Sequence, residues 1–302
     1  MKPNFYAGLE LDRMAERRGD QAWIDSLFRK PESRLVPLWR SRNLVLEGDS
    51  PEAVFLSTVE VSASINGSAL FLGLHQETAY FAADLSPFEE AALPGVVGPR
   101  GKFIDLRAVG AAMDRQHGAL LAYARGLAHW HSRHQFCATC GAPSVATEGG
   151  HVRKCTNAAC AASHFPRTDP AVIMLVTHGD KAFLARNNRF AFPMFSTLAG
   201  FVEPGESLEE TVAREVWEEA QIRVTDVQYQ SSQPWPFPCS IMLGFRARAL
   251  SPDYKVDGVE LIEAGWFDRA HLRARHDPDK FRTPRGDSIA RRLIDEWIAE
   301  AS

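Results

Sequence analysis

The chain has 302 residues, of which 45% are hydrophobic and 24% charged, and this length predicts two modules plus an insert. The formal net charge of −4 excludes the global basic field with which proteins wrap nucleic acid. No apolar run approaches the roughly 18 residues that span a bilayer, and the first residues lack the apolar core of a signal peptide. We therefore expect a cytoplasmic protein with no membrane partner.

The N-terminal third predicts strands and turns followed by a helix. Strand-like apolar runs occupy residues 34–46, 53–61 and 69–81, and turn signals occupy 48–52 and 64–68. Apolar residues at helical spacing then predict a helix over 105–131. No catalytic constellation is evident in this α+β region.

The C-terminal half predicts an α/β domain. Buried-strand patterns cover 171–177, 181–186 and 241–249. A strongly charged helix is predicted over 206–220, and a last helix over 288–299.

Four of the five cysteines cluster between these regions. Cys137 and Cys140 are separated by two residues, fourteen residues follow, and Cys155 and Cys160 are separated by four. Two thiolate pairs on two turns close a tetrahedral site around Zn²⁺, whereas disulfides do not persist in a reducing cytosol. The alternative is a set of unrelated buried thiols. With four thiols present, we expect one structural zinc ion and no ligand from His134, His151 or His164, which lie nearby in sequence.

The helix over 206–220 carries the chemistry. Glu215, Glu218 and Glu219 share one helix face within an arc of roughly 100°. Such a cluster of hard oxygen ligands suits Mg²⁺ or Mn²⁺, and Arg214 can pair with Glu206 to orient it. The alternative is a solvated acidic face, which is common on helices.

The preceding loop favours the metal site. Gly200 and Gly205 bracket a turn before the helix, and such glycines let backbone approach a phosphate or metal closely. The string from Gly200 to Ile222 resembles the Nudix box, G-x5-E-x7-R-E-U-x-E-E-x-G-U with U aliphatic. It departs from the box at Gln221, which stands in place of a glycine.

A second string, Ser232 to Ser240, reads SQPWPFPCS and predicts a rigid, exposed aromatic loop that is not a central strand. It serves either as a platform for a planar base or as packing on the core. It resembles the SQPWPFPxS motif of the NADH pyrophosphatase branch of the Nudix hydrolases. The order of N-terminal domain, ribbon and Nudix domain also resembles that branch, with boundaries at 1–130, 131–166 and 167–302.

The resemblance implies a fold and an activity. The fold is an α/β Nudix sandwich of α/β/α layers with a mixed sheet, preceded by a zinc ribbon and an α+β N-terminal domain. The activity is metal-dependent hydrolysis of the pyrophosphate bond of NADH or NAD to NMNH or NMN and AMP, including removal of NAD caps from RNA 5′ ends. The resemblance also implies a homodimer.

The resemblance assigns roles residue by residue. Glu219, Glu215, Glu218 and Arg214 are catalytic, and Glu219 is the favoured general base. The carbonyl of Ala199 and the carboxylate of Glu260 complete the site for Mg²⁺ or Mn²⁺. The substrate-binding residues are Phe165, Phe201, Gln233, Trp235, Ser240, Met242 and the backbone at Ala290.

Three alternatives remain open. A non-hydrolytic Nudix sensor would bind nucleotide without needing three mutually repelling carboxylates. A Nudix hydrolase of another nucleoside diphosphate derivative, such as ADP-ribose, would share the box. A zinc-ribbon nucleic-acid module is disfavoured because the segment 137–160 has Arg153 and Lys154 as its cations.

Overall fold

The computed structural model describes residues 2–65, 69–189, 192–256, 258–274 and 277–300. The predicted turn at 64–68 therefore falls partly outside the described residues, at Asn66–Ser68. The chain forms two compact units. The N-terminal unit comprises Tyr6–Thr168 and Trp235–Cys239, and the C-terminal unit comprises Met1–Phe5, Asp169–Pro234 and Ser240–Ser302. Across the described ranges, every helix is too short or too polar to traverse a bilayer.

The N-terminal unit contains a seven-stranded sheet, and five of its strands follow the spatial order β3-β2-β1-β6-β5. Strand β4 pairs with β1, β7 pairs with β2, and β1 runs parallel to β6. The strands are β1 Arg34–Trp39, β2 Arg42–Leu46, β3 Glu52–Ala53, β4 Leu56–Ser57, β5 Leu70–His75, β6 Thr78–Asp84 and β7 Lys102–Ile104. Its α-helices are α1 Gln21–Phe28, α2 Thr58–Ile65, α3 Leu93–Val97, α4 Leu106–Val109 and α5 Arg115–Arg133.

Two predictions for this region are wrong. The predicted strand over 53–61 is two short strands followed by α2, which begins at Thr58. The predicted helix over 105–131 is two helices, because each has its own N-terminal cap. Asp105 accepts from the backbone N–H of Arg107, and Asp114 accepts from those of Gln116 and His117.

The cysteine segment folds as a three-stranded antiparallel sheet within the N-terminal unit, in the order β10-β9-β8. Its strands are β8 Ser144–Thr147, β9 Val152–Cys155 and β10 Ser163–His164. Short 3₁₀ turns cover Glu148–Gly150, between β8 and β9, and Ala15–Arg17 and Glu90–Ala92 elsewhere in the unit.

The C-terminal unit is an α/β/α sandwich. Its six-stranded mixed sheet has the order β14-β15-β11-β12-β16, with β13 paired to β11. The central strand β11 runs parallel to β15 and antiparallel to β12. The elements are β11 Asp169–His178, β12 Lys181–Asn187, β13 Leu198–Phe201, α6 Leu208–Ala220, β14 Val224–Trp235, β15 Ser240–Ala249, β16 Leu261–Asp268, α7 Arg269–Arg273 and α8 Ile289–Ala299.

Strand β11 shows why both faces of this sheet carry a helix. Val172, Met174 and Val176 pack in the core beneath α6, whereas Ile173 and Leu175 pack in the core beneath α8. Because successive strand residues point to opposite faces, a continuous apolar run is buried on both sides. The predicted α/β/α sandwich is therefore confirmed.

The first residues also fold into this unit. Asn4 Nδ2 donates to Ser231 Oγ at 3.1 Å and to the Ser232 carbonyl at 2.7 Å, and Asn4 Oδ1 accepts from Arg292 at 3.0 Å. A buried amide with these partners fixes the position of the edge strand β14 against α8.

Candidate active site and metal-binding cysteines

Helix α6 begins with a capping box that sets the register of its carboxylates. The Ser207 hydroxyl accepts from the Glu210 backbone N–H at 3.2 Å, and the Glu210 carboxylate accepts from the Ser207 N–H at 2.7 Å. The helix ends at Ala220, and Gln221 takes the left-handed conformation with φ 54°. Gln221 stands where the box has glycine, and its left-handed conformation is the one that glycine adopts most readily.

Gly200 holds the carboxylate of Glu215. Gly200 lies in β13 opposite Val172, before the turn that it was predicted to bracket with Gly205. A Cβ atom added to Gly200 would lie 1.8 Å from Glu215 Cδ and 2.0 Å from its Oε1. Any side chain at position 200 would therefore displace the Glu215 carboxylate. We call the space beside Gly200 that this carboxylate occupies the Gly200 cradle.

Arg214 gathers three carboxylates. Its Nε donates to Glu206 Oε1 at 2.6 Å, and its Nη1 donates to Glu215 Oε1 at 2.9 Å and to Glu218 Oε2 at 3.0 Å. Its Nη2 donates to Glu206 Oε2 and to the Phe201 carbonyl, both at 2.9 Å. The predicted Arg214–Glu206 pair is confirmed, and a planar guanidinium fork suits this multiple contact. Arg214 thereby offsets the repulsion expected between Glu215 and Glu218.

The carboxylates of the helix occupy different environments. Glu218 is 56% exposed and Glu215 is 14% exposed, whereas Glu219 is buried. Burial raises the pKa of Glu215. The hydrogen bonds from Arg214 and the Glu203 backbone lower the pKa of Glu206 to about 2. A solvated acidic face does not explain a buried Glu219 and a nearly buried Glu215.

Glu260 joins this acidic group from the segment before β16. Asn187 Nδ2 donates to Glu260 Oε1 at 3.0 Å, and Arg189 lies 3.2 Å from the same oxygen. The charge of Glu260 adds, after burial and the charge of Glu218, to the rise in the pKa of Glu215. One amide group and one guanidinium group thus hold the Glu260 carboxylate.

The four clustered cysteines form the metal-ligand set that converges most closely among the described residues. Their sulfur atoms all lie within 4.8 Å of one another, with 3.8 Å between Cys137 and Cys160 and 3.5 Å between Cys140 and Cys155. No disulfide joins these four residues. Four soft sulfur ligands at these distances fit a closed, tetrahedral metal site.

The three neighbouring histidines differ in their contacts. His134 Nδ1 binds the Trp130 carbonyl at 2.8 Å, and His151 Nε2 binds the Phe71 carbonyl at 2.9 Å. His164 Nε2, in contrast, lies 3.3 Å from Cys137 Sγ. Burial favours a higher pKa for the Cys137 thiol, but hydrogen bonds from the Cys140 backbone and from His164 lower it to about 5. His164 therefore supports a thiolate, a role that spacing alone did not reveal.

The residues that the resemblance assigns to substrate lie in both units. In the C-terminal unit, Phe201 is 59% exposed, Ser240 and Met242 are half-buried at the start of β15, and Ala290 is buried in the first turn of α8. Met242, Ala199 and Ala290 pack in the same apolar cluster. In the N-terminal unit, Phe165 is largely exposed.

Gln233 is buried and is already hydrogen-bonded to backbone groups of the protein. It is 1% exposed, and its amide donates to the Phe5 carbonyl at 3.2 Å and to the Asp287 carbonyl at 2.7 Å. Its Oε1 accepts from the Ile289 N–H at 2.8 Å. Gln233 therefore ties β14 to the first turn of α8.

The predicted exposed aromatic loop is partly wrong. Ser232–Trp235 belong to the edge strand β14, where proline is tolerated, and the turn begins at Pro236. The Trp235 ring is half-buried and lies edge-to-face with Phe237 at 5.1 Å and with Tyr6 at 6.2 Å between centroids. Its ring packs within the N-terminal unit, and is not held out into solvent.

Fold and site define a Nudix-type sandwich with a box helix, and comparisons with known proteins agree. Family models match a NUDIX domain at residues 167–286, an NADH pyrophosphatase-like rudimentary NUDIX domain at 32–130 and an NADH pyrophosphatase zinc ribbon domain at 132–165. The chain belongs to the NADH pyrophosphatase branch of the Nudix hydrolase family.

Curated relatives are similar over much of the chain. Nudix hydrolase 19, chloroplastic, of Arabidopsis thaliana is 41% identical over 68% of this chain and 50% of its own length. The NAD-capped RNA hydrolase NUDT12 of Homo sapiens is 41% identical over 62% of this chain and 43% of its own length. The NAD-capped RNA hydrolase NudC of Mycobacterium bovis is 38% identical over 86% of this chain and 84% of its own length. The chain thus spans about half the length of the first two relatives.

Proposed function

We propose that the chain hydrolyses the pyrophosphate bond of NADH and NAD, giving AMP and NMNH or NMN, and that it removes NAD caps from RNA 5′ ends. The observation that carries the proposal is the Glu215 carboxylate, held in the Gly200 cradle by Arg214 beside a buried Glu219. Relatives named as NAD-capped RNA hydrolases support the choice of substrate.

The donor set fits a hard divalent cation. Carboxylates of Glu215, Glu218, Glu219 and Glu260 and the Ala199 carbonyl are the oxygen ligands that Mg²⁺ or Mn²⁺ prefers. A side chain at position 200 would fill the space that the Glu215 carboxylate occupies, so the cradle is specific to this group. When bound, such ions neutralise diphosphate charge and lower the pKa of water.

Residues of the chain deprotonate the attacking water and hold the carboxylates of the site in place. Glu219, buried on the box helix, takes the proton of the attacking water as general base. Arg214 holds Glu215 and Glu218 in one arrangement, while Glu206 stays ionised because its pKa is about 2. These contacts preorganise the acidic group before substrate arrives.

The base-binding surfaces follow from the family motifs. We assign Phe165, Phe201 and Trp235 as aromatic surfaces near the bases of the dinucleotide, and Ser240, Met242 and the backbone at Ala290 as pocket residues. Gln233 acts there by fixing β14 to the start of α8, since three backbone groups already engage its amide. The substrate is therefore a dinucleotide, and only the cap of an RNA need enter.

One assay tests the activity and ranks the alternatives. AMP release is measured on NADH, NAD⁺, ADP-ribose and NAD-capped RNA, with Mg²⁺, with Mn²⁺ and with chelator. We expect metal-dependent release from NADH and from NAD-capped RNA. Glu219→Gln should abolish it, whereas Glu209→Gln, an exposed carboxylate on the same helix, should not.

Three results of the same assay would contradict the proposed activity, the proposed substrate or the role of Glu219. Binding of NADH without hydrolysis under every metal condition would establish the nucleotide sensor. A clear preference for ADP-ribose would establish another Nudix hydrolase specificity. Equal activity of Glu219→Gln and Glu209→Gln would remove Glu219 from the mechanism.

Further features of the proposal concern the ribbon and the assembly. We assign one structural Zn²⁺ per chain to Cys137, Cys140, Cys155 and Cys160, a cytoplasmic location, a homodimer, and domain boundaries at 130/131 and 166/167. Metal analysis of purified protein tests the zinc, and light scattering after size-exclusion chromatography tests the dimer.

A further inference from the structure

A buried arginine of the N-terminal unit contacts the turn that follows β14. Arg125 lies in the middle of α5 and is 8% exposed, and burial lowers the pKa of its guanidinium. A buried guanidinium is costly unless its donors are hydrogen-bonded and its charge is balanced. The contacts of Arg125 therefore show which parts of the unit this charge holds in place.

The donors of Arg125 serve two turns. Its Nε donates to the Pro236 carbonyl at 2.9 Å, and its Nη1 donates to the Ser41 carbonyl. Ser41 and Arg40 form the turn between β1 and β2, and both take the left-handed conformation, with φ 59° and 49°. This conformation is unfavourable for residues with a side chain, so the hydrogen bond from Arg125 stabilises the turn. The Asp105 carboxylate, 3.9 Å from Nη1, supplies the opposite charge.

The same guanidinium lies against the ring of Phe237. Its Cζ is 5.0 Å from the centroid of this half-buried ring, which is within the roughly 6 Å of a cation–π contact. The exposed Arg107 lies 5.4 Å from the same centroid. Of these two cations, Arg125 is the one that its hydrogen bonds fix in position, so it sets where the Phe237 ring lies.

Phe237 in turn orients Trp235. The two rings lie edge-to-face at 5.1 Å between centroids, and the Phe237 N–H donates to the Trp235 carbonyl at 2.7 Å. The buried Tyr6 lies edge-to-face with both rings, at 6.2 Å from Trp235 and 5.7 Å from Phe237. Rings in such contacts constrain one another's orientation. Arg125 therefore reaches Trp235 through two links, the carbonyl of Pro236 and the ring of Phe237.

We propose that Arg125 is a positioning residue for the substrate, because it keeps the Trp235 ring in the orientation in which that ring binds a base of the dinucleotide. The inference rests on the proposed function, in which Trp235 is an aromatic surface near the bases. Arg125 itself is buried and acts through Phe237 and Pro236. Its loss should weaken binding of NADH and leave the chemical step at the pyrophosphate bond nearly unchanged.

The first test observes the Trp235 ring directly and needs no substrate. The full chain is labelled with 5-fluorotryptophan, and Trp235→Phe identifies the fluorine resonance of Trp235. Arg125→Met keeps an unbranched side chain but removes the donors and the charge, and should shift this resonance. The matched control is Arg153→Met, which removes a half-buried arginine of the same unit that donates to the Ser144 carbonyl at 2.5 Å. An unshifted Trp235 resonance in folded Arg125→Met, or an equal shift in Arg153→Met, overturns the inference.

The second test measures KM and kcat for NADH. Arg125→Met should raise KM by about 5- to 150-fold, the range of base–aromatic stacking, and leave kcat within about twofold. Adding Arg125→Met to Trp235→Ala should cause little further loss, because both changes remove the same stacking contact. Losses that multiply in the double variant, or a fall in kcat at unchanged KM, would show that Arg125 only supports the fold.

A second variant keeps the inference testable if Arg125→Met does not fold. Phe237→Leu removes the ring that links Arg125 to Trp235 and leaves the buried hydrogen bonds in place. It should raise KM for NADH by at least about fivefold, the lower end of base–aromatic stacking. A folded Phe237→Leu variant with the KM of the unmodified chain overturns the inference.

Failure of the inference is distinguishable from failure of the proposed function. If Trp235→Ala leaves KM for NADH unchanged, the proposed role of Trp235 fails, and the fluorine spectrum still decides whether Arg125 orients the ring. If Trp235→Ala raises KM but Arg125→Met and Phe237→Leu do not, the proposed function stands and Arg125 has no positioning role.

Discussion

Replacing Gly200 by alanine tests the geometry of the acidic site with a single methyl group. The new Cβ would lie 1.8 Å from Glu215 Cδ, and ordinary contact begins at 3.4 Å, so the carboxylate must move by about 1.6 Å. A displacement of this size breaks the 2.9 Å contact with Arg214 Nη1 and misplaces a proposed metal ligand. Misplacement by about 1 Å in an active site costs on the order of 100-fold in rate.

The fold should survive this change. Gly200 has no left-handed φ, and overpacking costs about 1–3 kcal/mol out of roughly 5–15 kcal/mol of total stability. The matched control is Gly265→Ala in β16 of the same sheet, where the added Cβ meets Phe267 at 3.6 Å. We expect a loss of about 100-fold in kcat/KM for NADH in the first variant and little change in the second.

A double variant separates displacement of Glu215 from general damage. If Gly200→Ala acts through Glu215, adding it to Glu215→Gln should cause little further loss, because the two changes remove the same group. Near wild-type kcat/KM in Gly200→Ala, or losses that multiply in the double variant, would refute the reasoning.

Four further predictions follow from the same structure. Glu219→Gln should abolish NADH hydrolysis, because it removes a buried candidate base. Its stability in urea unfolding should be unchanged or higher, because one of the mutually repelling charges is removed. Near wild-type turnover at saturating Mg²⁺ would contradict this prediction. Cys155→Ala should lose bound zinc and stability, checked by metal analysis and thermal melting, and full stability would argue against a structural metal. Trp235→Ala should lower kcat/KM for NADH by about 10- to 100-fold but spare a base-poor pyrophosphate, and equal losses on both substrates would make Trp235 a packing residue. Burial lowers the pKa of His131 and of His151 to about 4, so both stay neutral in the folded chain well below their usual pKa. Stability from these two histidines is complete above pH 6.5 and is lost as pH falls toward 4, by on the order of 2 kcal/mol each at pH 5, and NMR titration showing either imidazole half-protonated near pH 6.5 would contradict this.

Patterns with strong local causes were predictable from sequence. The continuous apolar run of β11 predicts a strand buried on both faces, and the structure places helices on both. The spacing of the cysteines predicts their convergence, because ligand pairs on two turns meet by local folding. The Glu206–Arg214 pair follows from the register of the box helix and its loop.

Features that depend on tertiary context were not predictable. The residues after Ala53 have strand-forming composition, yet Thr58–Ile65 is a helix because neighbouring elements pack against it. The break between α4 and α5 was missed although Asp114 carried the cap signal. Sequence placed Gly200 beside a turn but did not reveal its contact with Glu215, because this contact arises only when β13 lies beside α6. Likewise, the contact of His164 with Cys137 joins residues 27 positions apart.

The hydrogen bonds of Asn4 have a consequence for the order in which the chain folds. Its partners Ser231 and Arg292 lie 227 and 288 positions further along the chain. Closing such long loops is entropically costly and slow, so these contacts form late. During synthesis the N-terminal unit can complete most of its sheet before Ser231 and Arg292, the partners of Asn4, have been synthesised. Asn4→Ala should therefore speed the unfolding of the C-terminal unit more than it slows its folding, as expected for contacts formed after the rate-limiting step.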